Sequence, residues 1–299
     1  MKLFTLPPFH DFGAACAARV GIPSQGVECS RFDNGELHIT LPPEELSASF
    51  LMGTLSPPDH HLLEFLATAH TLHRIMTMPQ QLIAILPYLA YARQDRDTPG
   101  ESEMIALVDH LLATAGITEV WTFDIHSPHA QALSPIPIHS YSIAPLFAAA
   151  LTSLDLREPT FVAPDHGAVE RCQAVAQCFT GPHHLLTLEK HRSAIGIEHQ
   201  PLSGQPTSTA IIIDDILDTG HTLVSCCHAL RAAGCSRMFI MVTHGLFTGI
   251  AWQELWQLGV ERIYCTNSVP LEPDLLQDPR IIELSLESLL STIISTRGA

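Results

Sequence analysis

Asp214 and Asp215 follow three β-branched residues, Ile211, Ile212 and Ile213, and precede a turn of Asp218, Thr219, Gly220, His221 and Thr222. The isoleucine run predicts a buried parallel strand. The two acids then fall where that strand should meet water, at the carboxyl edge where open α/β sheets bind ligands. Adjacent carboxylates suit a vicinal diol. Beyond the turn, Leu223, Cys226, Cys227, Leu230 and Ala233 recur at helical spacing until Gly234 stops the helix. A helix start offers free N–H groups and a positive dipole end, and the turn adds hydroxyls beside them, so it suits a phosphate. A diol grip and a phosphate cradle a few residues apart match ribose 5-phosphate. The same string could also close an ordinary strand and open an ordinary helix.

Three further clusters carry polar chemistry. Leu86 to Arg96 runs from a buried strand into Arg93, Gln94, Asp95 and Arg96. The arginines can clamp phosphate oxygens and Gln94 can bond a base or ribose, although Asp95 could instead hold them in a structural ion cluster. Asp124, Ile125 and His126 end another strand, where an imidazole could coordinate a metal and an acid orient it. A lone histidine is more often structural. Phe32, Asn34 and Glu36 combine an aromatic face with amide and carboxylate around Gly35, a purine sandwich or an ordinary Asn-Gly hairpin turn. The chain has two lysines, Lys2 and Lys190, against thirteen arginines. Retaining Lys190 in Leu188-Glu189-Lys190-His191-Arg192 points to a need for a compact ammonium, or to a solvated charge before a loop.

Composition bounds the rest. The 299 residues suggest about two domains, and 46% hydrophobic with 15% charged residues fits a compact, oligomer-prone protein. A net charge of -16 argues against nucleic acid as partner. Apolar stretches are short and interrupted, so no membrane span is expected, and the N-terminus has no signal-peptide core; a cytoplasmic location follows. The eight cysteines form no Cys-x-x-Cys pair and are expected to be reduced.

Strands and helices alternate in both halves. Strands are expected at 37–41, 82–86, 120–123, 161–163, 185–188, 211–213, 238–242 and 263–265, and helices at 62–72, 102–115, 169–179, 222–233 and 250–258. This rhythm implies an α/β protein of two tandem similar domains, each a mostly parallel sheet flanked by helices. The first is expected over 1–140, with the C-terminal helix 285–299 packed on it, and the second over 141–284. Ser193 to Thr209, with its prolines and glycines, is expected to be a closing flap.

In order, the segments F-D-N-G-E, P-Y-L-A-Y-A-R-Q-D-R, D-I-H-S, A-P-D-H-G, E-K-H-R, D-D-I-L-D-T-G-H-T and V-T-H-G-L-F resemble the phosphoribosyl pyrophosphate synthetase (ribose-phosphate pyrophosphokinase) family over nearly the whole chain. The Asp97 to Glu101 tract looks more like the archaeal-type branch. The resemblance implies domains like the type I phosphoribosyltransferases, and an ATP-dependent transferase of nucleotide biosynthesis that moves the β,γ-pyrophosphoryl group of ATP to O1 of ribose 5-phosphate, leaving AMP. It implies Mg²⁺ held by His126 and Asp165, with Lys190 and Arg192 brought by a mobile loop to the transferring phosphates. Arg93, Gln94 and Arg96 would bind ATP, joined by Phe32, Asn34 and Glu36 of a neighbouring subunit, so a homo-oligomer from dimer to hexamer is implied. Asp214 and Asp215 would grip the ribose hydroxyls, and Asp218 to Thr222 the 5-phosphate.

His221 departs from the family, which favours Gly or Ala inside this loop. It could crowd the phosphate or donate to it. A catalytically silent regulatory or assembly subunit is the alternative reading, and a phosphoribosyltransferase a more remote one, since it would share only the second-half motif.

Overall fold

The computed structural model describes residues 1–42, 48–77, 81–96, 98–188, 190–193, 196–199 and 204–297, with backbone alone over 190–193 and 196–199. The chain divides into two compact units, Met1–Tyr141 with Ser285–Ala299, and Ser142–Leu284.

The first unit begins with β1 (Lys2–Thr5), α1 (His10–Val20) and β2 (Ser24–Gly26), then the hairpin strands β3 (Cys29–Arg31) and β4 (Leu37–Ile39). It continues through β5 (Ala48–Met52), α2 (His60–Ile75), β6 (Gln81–Ile85), α3 (Met104–Thr114), β7 (Glu119–Phe123), α4 (Pro128–Ala132) and β8 (Ile138–Tyr141). Among the described residues its main sheet has six parallel strands in the order β2-β1-β5-β6-β7-β8. Buried on both faces, such strands read as continuous apolar runs, as Leu82 to Ile85 does.

The second unit holds α5 (Ala144–Leu151), β9 (Thr160–Ala163), α6 (Val169–Cys178), β10 (His184–Thr187), β11 (Lys190–Ser193), β12 (Gly196–His199) and β13 (Thr209–Leu217). It ends with α7 (His221–Ala232), β14 (Arg237–Gly245), α8 (Glu254–Gln257), β15 (Val260–Thr266), α9 (Pro273–Gln277) and β16 (Ile281–Leu284). The last helix, α10 (Glu287–Arg297), packs on α1 in the first unit.

Among the described residues the second sheet has the order β10-β9-β13-β14-β15-β16, again all parallel. Ranked along the chain, with the hairpins set aside, both sheets have the strand order 2-1-3-4-5-6. Each unit inserts its two-stranded hairpin at the same place, after its second strand: β3–β4 in the first, β11–β12 in the second. The strand order therefore reverses between β9 and β13 in the second unit, and such a switch point is where open α/β sheets leave a crevice for ligands.

Three expectations are corrected. The strand expected to stop at Ile213 runs to Leu217, because β14 continues beside it, pairing Ile216 with His244 and Leu217 with Gly245. Ser193 to Thr209 is not one loop: Gly196–His199 pairs antiparallel with Lys190–Ser193, Arg192 facing Ile197. The 250–258 helix is a 3-10 turn at Ala251–Gln253 followed by four α-helical residues. Asp97 lies outside the described residues, as do Glu189 and parts of the 193–209 segment.

Candidate active site

Asp214 and Asp215 lie at the switch point, inside the strand rather than beyond it, and are 9% and 6% exposed. The β9–β13 register pairs Thr160 with Ala210 and Val162 with Ile212, and Asp165 follows two residues beyond the end of β9. A regular strand sends neighbouring side chains to opposite faces. Here Asp214 Oδ1 turns to accept the N–H of Asp215 at 2.9 Å. Burial raises Asp214 well above the usual carboxylate range, and the charges of Asp215 and Asp165 raise it further. Arg171, from α6, opposes this and stands 3.8 Å from Asp215 Oδ1. Sequence reasoning missed Arg171. Its signal was modest: an arginine six residues after Asp165, in a chain with few cations.

The loop of Asp218 to Thr222 follows directly. Gly220 is the N-cap of α7 at φ 87 and, having no side chain, caps nothing itself, so the helix opens on backbone N–H groups. A Cβ on Gly220 would stand 2.7 Å from Trp252 Cα, so glycine is required by both conformation and space. Trp252 was also absent from the sequence reading. It packs edge-on against Phe247 with ring centroids 5.0 Å apart. The backbone before it straps the loop down: Leu246 N donates to Leu217 O at 2.8 Å, and Thr248 N to Asp218 O at 3.1 Å. His221 Nδ1 lies 2.9 Å from Thr219 Oγ1, so imidazole and hydroxyl engage each other. Leu223, Cys226, Cys227 and Leu230 bury the opposite face of α7, and Gly234 follows the helix at φ 97.

In the first unit, the neighbouring strands β6 and β7 release two segments at one carboxyl edge. After β6, Leu86 N donates to Trp121 O at 2.9 Å. The chain then bends at Tyr91, a non-glycine residue at φ 68, whose hydroxyl donates to Asp59 Oδ1 at 2.7 Å. Arg93, Gln94 and Arg96 emerge exposed. After β7 the chain bends at Asp124, φ 36, and Ile125 N donates to Ser140 Oγ at 2.9 Å. His126 follows, also exposed. The structure thus brings Arg93, Gln94, Arg96 and His126 to one edge. Phe32, Asn34 and Glu36 form the tip of the β3–β4 hairpin, where Phe32 N donates to Glu36 O at 2.9 Å and the Phe32 ring is 53% exposed. Lys190 and Arg192 lie on β11, with Lys190 opposite His199.

Among the described residues, no three His, Cys, Asp or Glu side chains converge into a metal cage. The donor chemistry still suits Mg²⁺, a hard cation that takes one or two carboxylates together with waters and substrate phosphates. Asp165 is such a carboxylate, and its charge is among those that raise Asp214.

Two parallel sheets of the same strand order, the second with an acid pair and a glycine-capped helix start at its switch point, define a tandem α/β protein. Comparison with known proteins narrows this. Residues 1–116 match the model of the N-terminal domain of ribose phosphate pyrophosphokinase, and residues 201–297 that of the phosphoribosyl synthetase-associated domain. A ribose-phosphate pyrophosphokinase of Bacillus caldolyticus is 31% identical, the alignment covering 99% of this chain and 94% of that one. Another from Prochlorococcus marinus is also 31% identical, over 98% and 89%. The crystal structure of phosphoribosylpyrophosphate synthetase from Mycobacterium smegmatis superposes with a TM-score of 0.85 at 26% identity, covering 98% and 97% of the two chains. The chain belongs to the ribose-phosphate pyrophosphokinase family.

Proposed function

We propose that the protein transfers the β,γ-pyrophosphoryl group of ATP to ribose 5-phosphate. The bond from sugar O1 to the β-phosphorus forms, the bond from that phosphorus to the α,β-bridging oxygen breaks, and AMP leaves with the bridging oxygen while the O1 proton passes to solvent. The observation that carries this reading is the second unit's switch point, where the acid pair Asp214 and Asp215 runs into the glycine-capped start of α7. Full-length similarity to ribose-phosphate pyrophosphokinases supports it.

In this reading Asp214 and Asp215 take the ribose hydroxyls. Asp218 to Thr222 take the 5-phosphate, through the N–H groups of α7 and the hydroxyls of Thr219 and Thr222. Arg93, Gln94 and Arg96 hold ATP, and the exposed Phe32, with Asn34 and Glu36, covers the adenine of a neighbouring subunit. Such a shared site requires a homo-oligomer. Lys190 and Arg192 neutralise charge on the transferring phosphates, the dominant need of phosphoryl transfer. His126 and Asp165 hold Mg²⁺, which when bound neutralises ATP oxygens. No helix among the described residues is long and apolar enough to cross a membrane. The reading places the enzyme in the cytoplasm.

The test is AMP formation from ATP, Mg²⁺ and ribose 5-phosphate by the purified protein and by Lys190→Ala, each beside a control without sugar. Sugar-dependent AMP, reduced at least 100-fold in the variant, is expected for a charge-neutralising group. A folded, ATP-binding wild type that forms no AMP overturns the proposal.

A further inference from the structure

Asp95 differs from the residues around it. Arg93, Gln94 and Arg96 point outward, whereas Asp95 is 8% exposed. Its Oδ2 accepts the hydroxyl proton of Ser127, which follows His126 on the neighbouring strand's connection. Ser127 Oγ in turn accepts the N–H of Ala130 at 3.2 Å, capping α4. One hydroxyl supports both bonds, because its proton goes to the carboxylate while a lone pair remains for the amide. Each segment is bent by a non-glycine residue in the left-handed region, Tyr91 on one side and Asp124 on the other. Such bends persist where surrounding bonds over-determine them. Here Gln94 N donates to Tyr91 O at 2.8 Å and Asp124 N to Tyr141 O at 3.1 Å.

We propose that Asp95 is a positioning residue for the nucleotide side of the reaction: its buried carboxylate, bonded to Ser127, fastens the Arg93–Arg96 turn to the segment that carries His126. The arginines and the imidazole then share one rigid frame, although they leave different strands. A charge-assisted bond in a site shielded from water is strong enough for this role, and small misplacements of phosphate-binding groups are costly in rate. The inference rests on the ATP reading of this edge.

The experiment measures KM for Mg·ATP and for ribose 5-phosphate in full-length protein carrying Ser127→Ala, Ser127→Thr, Ser127→Asp, Asp95→Asn, Asp95→Ala or the Asp95→Ala/Ser127→Ala pair. Sugar-dependent AMP from the wild type comes first; if it is missing, the proposed function has failed and this inference is not what was tested. With an active wild type, Ser127→Ala and Asp95→Ala should raise KM for Mg·ATP on the order of tenfold. KM for ribose 5-phosphate should stay within about twofold, and the double variant should be no worse than its worse parent. Ser127→Thr keeps the hydroxyl and should restore wild-type behaviour, and Asp95→Asn keeps an acceptor oxygen and should fall between wild type and Asp95→Ala. Ser127→Asp keeps a capping oxygen but sets a second carboxylate against Asp95. It should be at least as impaired as Ser127→Ala. Near-normal kinetics in Ser127→Asp would make Ser127 a helix cap and nothing more. Equal rises in both KM values, additive effects in the double variant, or unchanged KM for Mg·ATP in folded variants would each overturn the proposal.

Discussion

His221 occupies the first helical position of α7 with its ring bonded to the loop's own Thr219 hydroxyl. Where the imidazole takes the Thr219 hydroxyl proton, that hydroxyl has none left to donate to a phosphate, and exchanging one neutral bond is worth about 0.5–1.5 kcal/mol. His221→Ala keeps a good helix former and releases Thr219, so KM for ribose 5-phosphate should fall about 2–10-fold in steady-state assays. An unchanged KM would show that the imidazole neither obstructs nor competes. The departure at His221 was legible in the sequence, since the rest of D-D-I-L-D-T-G-H-T surrounds it. Its partner was not, because side-chain rotamers are not set by spacing. Nor was Trp252, which reaches Gly220 only through the strap that joins 246–248 to the end of β13.

The helices and strands themselves were readable where a buried face repeats. α3 shows Ile105, Val108 and Leu112 at the expected spacing. The same face also buries Asp109, fully shielded, with no well-formed hydrogen bond to either carboxylate oxygen. Burial pushes its carboxyl up to about 7, an effect that the Ser134 hydroxyl and His110 offset only in part. The folded state therefore keeps a proton that the unfolded chain, at 3.8, has already lost. Stability from this group is full below that value and declines as the pH rises to about 7. Urea unfolding at pH 5 and pH 8 should show Asp109→Asn losing about 2–3 kcal/mol less than wild type over that interval. Parallel pH dependence in the two proteins would refute the assignment. Short parallel strands such as β1 and β5 escaped the sequence reading because, covered on both faces, they lack alternation. The last residues of β13 escaped it for another reason. Acids have poor strand propensity, and pairing with β14 overrides that preference here.

At the scale of the molecule, the repeated strand order was legible only as a rhythm of alternating elements; the matching places of the two hairpins depend on pairings far apart in sequence. The tail divides between the units: Ile281–Leu284 completes the second sheet as β16, whereas α10 belongs to the first unit, and the sequence expectation also set the division after residue 284. There α10 buries Leu290, Ile293 and Ile294, and Glu287 pairs with Arg19 of α1 at 3.5 Å. Cys16, on α1, is wholly buried and its thiol is pushed up to about 12, chiefly by burial. In the intact protein Cys16 should resist alkylation at pH 8. A chain ending at Leu284 should expose Cys16 to rapid labelling, located by mass spectrometry of the modified peptide. Equal protection with and without α10 would mean that the helix contributes little to the first unit. That shortened chain is also the polypeptide as the ribosome holds it before the codons for α10 are read. By then the second unit has its whole uninterrupted sequence, while the first, begun earlier, still lacks its last helix. Synthesis and completion thus run in opposite order: the half of the protein translated first is the half finished last.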